Sequence, residues 1–329
     1  MGSHKGIPTQ GSRSELDLET KEFLQKNREL SLGGTRFLDE RSHHTRVFGY
    51  HTVKADIDRV DFECIRGPHG TIPIRVFLPK SGMQRAKNAA AGALVYMHGG
   101  GYTVGTVDEF ENGLRLLAER SETQVYAVEY RLAPEWRYPT QLEEYEAVVE
   151  WVRGEGGQKR GVDPKRVVGG GDSAGGNMTA ALTLKMVDKG KQPLKGQILF
   201  YPEARVPFDT PAADENNSGL YLECNGIFSF ADHYCPRGTT PSHRYVSPGM
   251  QPAEKLKGLP TSVVLTCGFD PLRDVGVEYA HKLQKAGNQV TWHHFPSLTH
   301  GFLQLALWST KCDEAVSVAA KELNKLVYE

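Results

Sequence analysis

Gly171-Asp172-Ser173-Ala174-Gly175 has the form Gly-x-Ser-x-Gly and lies between an apolar run, Arg166 to Gly170, and a helix-forming run from Ala174 to about Lys189. A serine in a sharp strand-to-helix turn has its hydroxyl lifted clear of the sheet. Glycines are needed two positions to either side, because a Cβ there would strike neighbouring backbone. The turn also sets the Ala174 N–H at a helix N-terminus, where unpaired donors and the helix dipole favour a developing negative charge. A turn of this kind can instead cradle a phosphate. No lysine follows the serine and no Gly-x-Gly-x-x-Gly occurs here, which favours the nucleophile.

A serine hydroxyl is a weak nucleophile at neutral pH and needs a base, itself oriented by a third group. Of the 12 histidines, His300 is best placed: it follows the run Gln289 to Phe295, precedes Gly301 and stands ahead of the last helical run. His293 and His294 fall inside that run, and His233 and His243 in a long insertion. Asp270, just past the run Ser262 to Thr266, is the expected third member, with Asp274 as its rival. An acid in a first helical turn usually orders the helix, which is the role expected of Asp274. The order Ser173, Asp270, His300 suits a nucleophile-elbow fold. His98-Gly99-Gly100-Gly101 follows another apolar run, Ala93 to Met97. Bare glycine amides can approach an oxyanion closely, so Gly99, Gly100 and Gly101 compete for two donor places beside Ala174. His98, at the loop root, is expected to brace it.

Short apolar strands alternating with helices must position these groups. Strands are expected at 93–97, 125–130, 166–170, 197–201, 262–266 and 289–295, and helices at about 141–153, 174–189, 274–286 and 310–327. That rhythm implies a mostly parallel sheet covered on both faces, with right-handed crossovers. Alternation at 60–66 and 71–78 around Gly67-Pro68-His69-Gly70 predicts a hairpin. Residues 15–29 read as an amphipathic helix, 36–51 as irregular and 80–91 as a loop. Residues 203–245 are long for a connection and rich in aromatics, which points to a lid over the carboxyl ends of the strands.

With 329 residues, one α/β domain and a modest cap fit. A net charge of -1 leaves no field to attract nucleic acid or an anionic membrane. No apolar run is long enough to span a bilayer. Met1 to Glu15 is polar, without the apolar core of a secretory signal, and Met1 to His4 is compatible with a tag remnant as well as with native sequence. The five cysteines show no metal-ligand spacing; free thiols in a reducing, cytoplasmic setting are expected.

Five segments in order, His98–Tyr102, Tyr130–Glu135, Gly171–Asn177, Asp270–Asp274 and His300–Phe302, resemble the hormone-sensitive lipase-like family of α/β-hydrolases. The likeness is to the branch with a Gly-Asp-Ser-Ala-Gly-Gly elbow and covers 60–302. It implies an α/β-hydrolase fold, a mostly parallel central sheet flanked by helices, with a helical cap from 1–55 and 203–245 on a core of 56–202 and 246–329. It further implies Ser173 as nucleophile, His300 as base, Asp270 as acid, and an oxyanion hole from Gly99, Gly100, Gly101 and Ala174. Tyr130 to Glu135, Asp172 and Asn177 are expected to be structural. Glu129 stands where relatives often carry Asp. The expected reaction is hydrolysis of small to medium carboxylic esters through an acyl-enzyme, with a small-molecule ester as partner and no metal or organic cofactor. The family leaves room for a homodimer. The same triad serves amides and lactones, long-chain lipid substrates remain open, and a ligand receptor could share the fold.

Overall fold

The computed structural model describes residues 6–33, 36–206 and 208–329; the proposed tag remnant, Met1 to His4, lies outside them. In chain order the elements are α1 (Leu18–Lys26), α2 (Phe37–His44), a π-helical turn (Thr45–Gly49), β1 (Arg59–Gly67), β2 (Gly70–Leu78), α3 (Met83–Lys87), β3 (Ala91–Met97), α4 (Val107–Ser121) and β4 (Gln124–Val128). Then come α5 (Thr140–Arg153), α6 (Glu155–Gln158), β5 (Val162–Asp172), α7 (Ala174–Asp188), β6 (Gly196–Phe200), α8 (Pro211–Glu215) and α9 (Cys224–Tyr234). The chain ends with β7 (Thr261–Phe269), α10 (Arg273–Lys285), β8 (Val290–Thr299) and α11 (Thr310–Tyr328).

The strands form one 8-stranded sheet in the order β1-β2-β4-β3-β5-β6-β7-β8. Only the β1–β2 hairpin and the β2–β4 pair are antiparallel. Every residue of β3, β4 and β6 is buried, as two-sided coverage requires. The chain belongs in architecture to the α/β-hydrolase fold.

Three intervals depart from the sequence reading. Residues 107–121, given no element, form α4, which buries Val107, Phe110, Leu114 and Leu117. Residues 36–51, read as irregular, contain α2 and the π-helical turn, and the loop at 80–91 contains α3. α2 carries little apolar stripe of its own. Contacts made elsewhere in the chain hold it: the Arg41 guanidinium donates to the Thr103 and Ala133 carbonyls and pairs with Glu135.

The segments at the two ends of the expected cap meet. Leu32 and Leu222 form a short parallel bridge, with Leu32 N–H donating to Tyr221 O and Glu223 N–H to Leu32 O, both at 2.8 Å. α9 lies against the loop after β3: Phe230 occupies the space a Cβ on Gly101 would need, and the Tyr234 ring stacks on Tyr102 at 3.8 Å. Ahead of α1, Ser14 and Asp17 N–H groups donate to the Pro296 and Ser297 carbonyls of β8. Gly11 N–H and Ala212 N–H both donate to the Asp274 carboxylate.

Beneath the loop after β3, the buried Tyr145 hydroxyl links adjacent strands, donating to Val95 O at 3.0 Å and accepting from Gly170 N–H at 3.1 Å. Tyr145→Phe leaves both groups without that partner. Urea unfolding should show a loss of about 1–3 kcal/mol.

Candidate active site

The turn from β5 into α7 carries Ser173 at φ 54 and ψ -119, a conformation that costs an L-residue energy and persists only where its surroundings enforce it. The enforcement is visible at its flanks. A Cβ on Gly171 would lie 2.5 Å from the Gly175 and Met97 carbonyl oxygens, and one on Gly175 would lie 2.0 Å from Met97 O. Ser173 O accepts from Asn177 N–H, the first turn of α7, and also from Glu203 N–H at 3.2 Å. Asn177 Nδ2 donates to the Glu203 and Val246 carbonyls, a structural role as expected.

β8 runs to Thr299, so His300 follows it directly. Its Nδ1 is 2.9 Å from Asp270 Oδ2, and both residues are buried. Asp270 is held in turn by Leu272 N–H at 2.8 Å. Among the described residues the other ring nitrogen, Nε2, has no hydrogen-bond partner, Ser173 included; such contacts often tighten only when substrate is bound. Asp274 has no hydrogen bond to His300 among the described residues. It pairs with Arg273 and accepts the Gly11 and Ala212 N–H groups, so it ties the amino-terminal segment and α8 to the start of α10 and does not cap that helix as the sequence reading expects. His293 and His294 lie within β8, and His233 lies in α9.

The loop 98–101 is anchored from below. Asp172 Oδ1 accepts the Gly99 N–H at 2.7 Å and the Tyr96 hydroxyl at 2.5 Å. The Gly99 amide is therefore engaged, which narrows the three-glycine expectation: Gly100 and Gly101, at φ 106 and 57, keep amides with no acceptor among the described residues. A Cβ on Gly100 would sit 2.0 Å from Val104 O. His98 braces the loop, with Nδ1 2.8 Å from Gly99 O and its ring stacked on Tyr130 at 4.3 Å. Tyr130 donates its hydroxyl to His98 O. Burial drives the His98 pKa down to about 4, so the imidazole is neutral.

Several polar groups near this constellation carry no signal in the sequence. Glu203 is buried behind Ser173, with the Tyr102 phenol as its neighbour, and burial pushes its pKa up to about 8. Burial likewise raises Glu109 to about 8 and Asp172 to about 6, and lowers His44 to about 3. Only the folded chain places these groups together. The arrangement as a whole can activate a hydroxyl, hold a negative oxygen on amide donors and deliver a proton. Among the described residues no helix is long and apolar enough to cross a membrane.

The family model described as alpha/beta hydrolase fold matches residues 94–304. Esterase LipI of Mycobacterium tuberculosis is 35% identical over 244 residues, covering 74% of this chain and 74% of that protein. Ethyl acetate hydrolase of Pseudomonas putida is 30% identical over 304 residues, covering 85% of this chain and 93% of that one. Among solved structures, a thermostable esterase from Pseudomonas putida superposes with a TM-score of 0.85 at 28% identity, covering 97% of this chain and 100% of that one.

A carboxyl whose folded pKa is raised binds its proton more tightly folded than unfolded, so its cost to stability grows as pH rises from the unfolded value through the folded one. For Glu203 that window runs from 4.5 to about 8. Glu203→Gln should therefore be near neutral at pH 4 and stabilise by about 1–3 kcal/mol at pH 8, read from denaturant midpoints across pH.

Proposed function

Since the chain belongs to the α/β-hydrolase fold family, in its hormone-sensitive lipase-like branch, and is a carboxylic ester hydrolase, we propose that Ser173, His300 and Asp270 are its catalytic triad. The observation that carries the assignment is the His300 Nδ1 to Asp270 Oδ2 contact of 2.9 Å in a chain whose Ser173 occupies a strained elbow. Asp270 fixes the imidazole with its proton on Nδ1, leaving Nε2 basic. Ser173 Oγ attacks the ester carbonyl carbon as Nε2 takes its proton. The carbonyl oxygen, now negative, rests on the N–H groups of Gly100, Gly101 and Ala174. Collapse expels the alcohol, which takes the proton from His300. Water then repeats the sequence on the acyl-enzyme and releases the acid.

Gly99 acts one step back. Its amide, tied to Asp172, sets the height of the two glycines that follow. Residues 1–55 and 203–245 are assigned as the cap, supported by the Leu32–Leu222 bridge and by Phe230 and Tyr234 against the 101–102 backbone. The substrates are small-molecule esters. Small to medium acyl groups suit a site whose Ser173 is only 4% exposed. Work in the cytoplasm agrees with five free cysteines.

Hydrolysis of p-nitrophenyl acetate, butyrate, octanoate and palmitate checks the reading. Ser173→Ala should lower kcat by about 10⁴-fold or more, and Asp270→Asn by about 10⁴-fold through the wrong tautomer. Rates should fall from butyrate to palmitate. Equal rates for wild type and Ser173→Ala would remove the triad. Asp172→Ala, which frees the Gly99 amide, should cost about 10- to 10³-fold in kcat with KM little changed.

A further inference from the structure

Where the cap meets the loop after β3 there is a small, largely enclosed cavity of about 10 Å³. That is the room one water needs and too little for a chain of atoms. Gly99, Gly100 and His300 form its catalytic side, and His44, Tyr221 and Gln304 close it from the cap and the histidine loop. Its lining is polar in a specific way. His44 is 1% exposed and its Nε2 has no hydrogen-bond partner among the described residues. Gln304 accepts the Tyr221 hydroxyl through Oε1 at 3.1 Å, while its amide N–H groups have no acceptor among the described residues. Glu109, also on the wall, holds the Thr45 and Thr106 hydroxyls through Oε1. A buried water makes about three hydrogen bonds to groups of this kind.

We propose that this cavity is a water site that supplies the deacylating water, with His44 and Gln304 as its positioning residues. The inference rests on the triad assigned above. The competing occupant is the terminal methyl of a short acyl group. It fits by size, but it would leave the buried His44 Nε2 facing carbon, the costly outcome for a desolvated polar atom. A water satisfies it. Burial keeps His44 neutral and Glu109 protonated near pH 7, and the Asp172 carboxylate on the same wall is already engaged by the Gly99 N–H and the Tyr96 hydroxyl. Once the alcohol has left, the water moves the short distance to His300. Its oxygen bonds to the acyl carbon as its proton passes to Nε2. The carbon–Oγ bond then breaks, and Ser173 recovers the proton from His300.

The test separates deacylation from acylation. With p-nitrophenyl acetate, acylation is read as the pre-steady-state burst of p-nitrophenolate, and deacylation limits kcat. His44→Phe, which fills the cavity, should lower kcat about 5- to 20-fold and KM in parallel, with the burst rate and kcat/KM unchanged. With methanol added, the ratio of methyl acetate to acetate formed should rise several-fold, because only the water route is impaired. Gln304→Met provides the same test without added bulk, should His44→Phe fail to fold. His44→Asn, which keeps a polar group on the wall, should restore most of kcat. A fall in kcat/KM matching that in kcat, or an unchanged methanol-to-water partition, would overturn the proposal and make His44 an acyl-pocket or structural residue. A wild type without a burst, or an undiminished burst in Ser173→Ala, would instead overturn the triad.

Discussion

The turn from β5 to α7 approaches the end of β3 so closely that no Cβ fits between them: one on Gly175 would stand 2.0 Å from the Met97 carbonyl oxygen. Much of the site follows from that approach. It forces Ser173 into its strained conformation, and it brings Asp172 under the next loop, where its carboxylate takes the Gly99 amide and the Tyr96 hydroxyl. With Gly99 anchored, the chain turns through two left-handed glycines whose amides remain unused. The proposed nucleophile and oxyanion donors therefore share one rigid junction between neighbouring parallel strands. The proposed base, His300, arrives separately at the end of β8 and meets Asp270 from the end of β7.

Burial sets the electrostatics of this junction. Glu109, Asp172 and Glu203 are all raised by desolvation, and His44 and His98 are lowered. At pH 7 Glu109 and Glu203 are protonated and both imidazoles neutral, while Asp172, raised only to about 6, remains largely a carboxylate held by the Gly99 amide and the Tyr96 hydroxyl. Protonating Glu109 and Glu203 leaves the proposed oxyanion's interaction with its amide donors less opposed, which matters more in a dry site than in water. These two acids reduce stability at high pH and in return lessen the negative charge around an anionic transition state.

The parallel core, the strand-to-helix turn at Ser173, the glycine loop and the meeting of Asp270 with His300 were legible in the sequence, because each depends on local pattern: apolar runs of strand length, glycines flanking a serine, and acid and histidine at strand ends. α4 was legible in principle. Val107, Phe110, Leu114 and Leu117 keep helical spacing, but Gly113 and a run of acids mask it. That glycine is needed because a Cβ there would meet Leu303 O at 2.4 Å, a contact set by tertiary packing. α2 was not legible, since Arg41 holds it by reaching the Thr103 and Ala133 carbonyls. The engagement of Gly99 depends on a carboxylate from another strand. His44, Gln304 and Glu203 acquire their surroundings only through folding.

The bridge between Leu32 and Leu222, and the hydrogen bonds from Ser14 and Asp17 to the end of β8, join the beginning of the chain to partners far along it. During synthesis residues 14–32 emerge well before β8, so their docking surface is complete only after β8 has been made. Domains tend to form as units while the chain emerges. At this place residues made earlier settle among residues made much later. Until they do, Leu30, Leu32 and Phe48, all buried in the folded protein, lack the later-made partners that cover them.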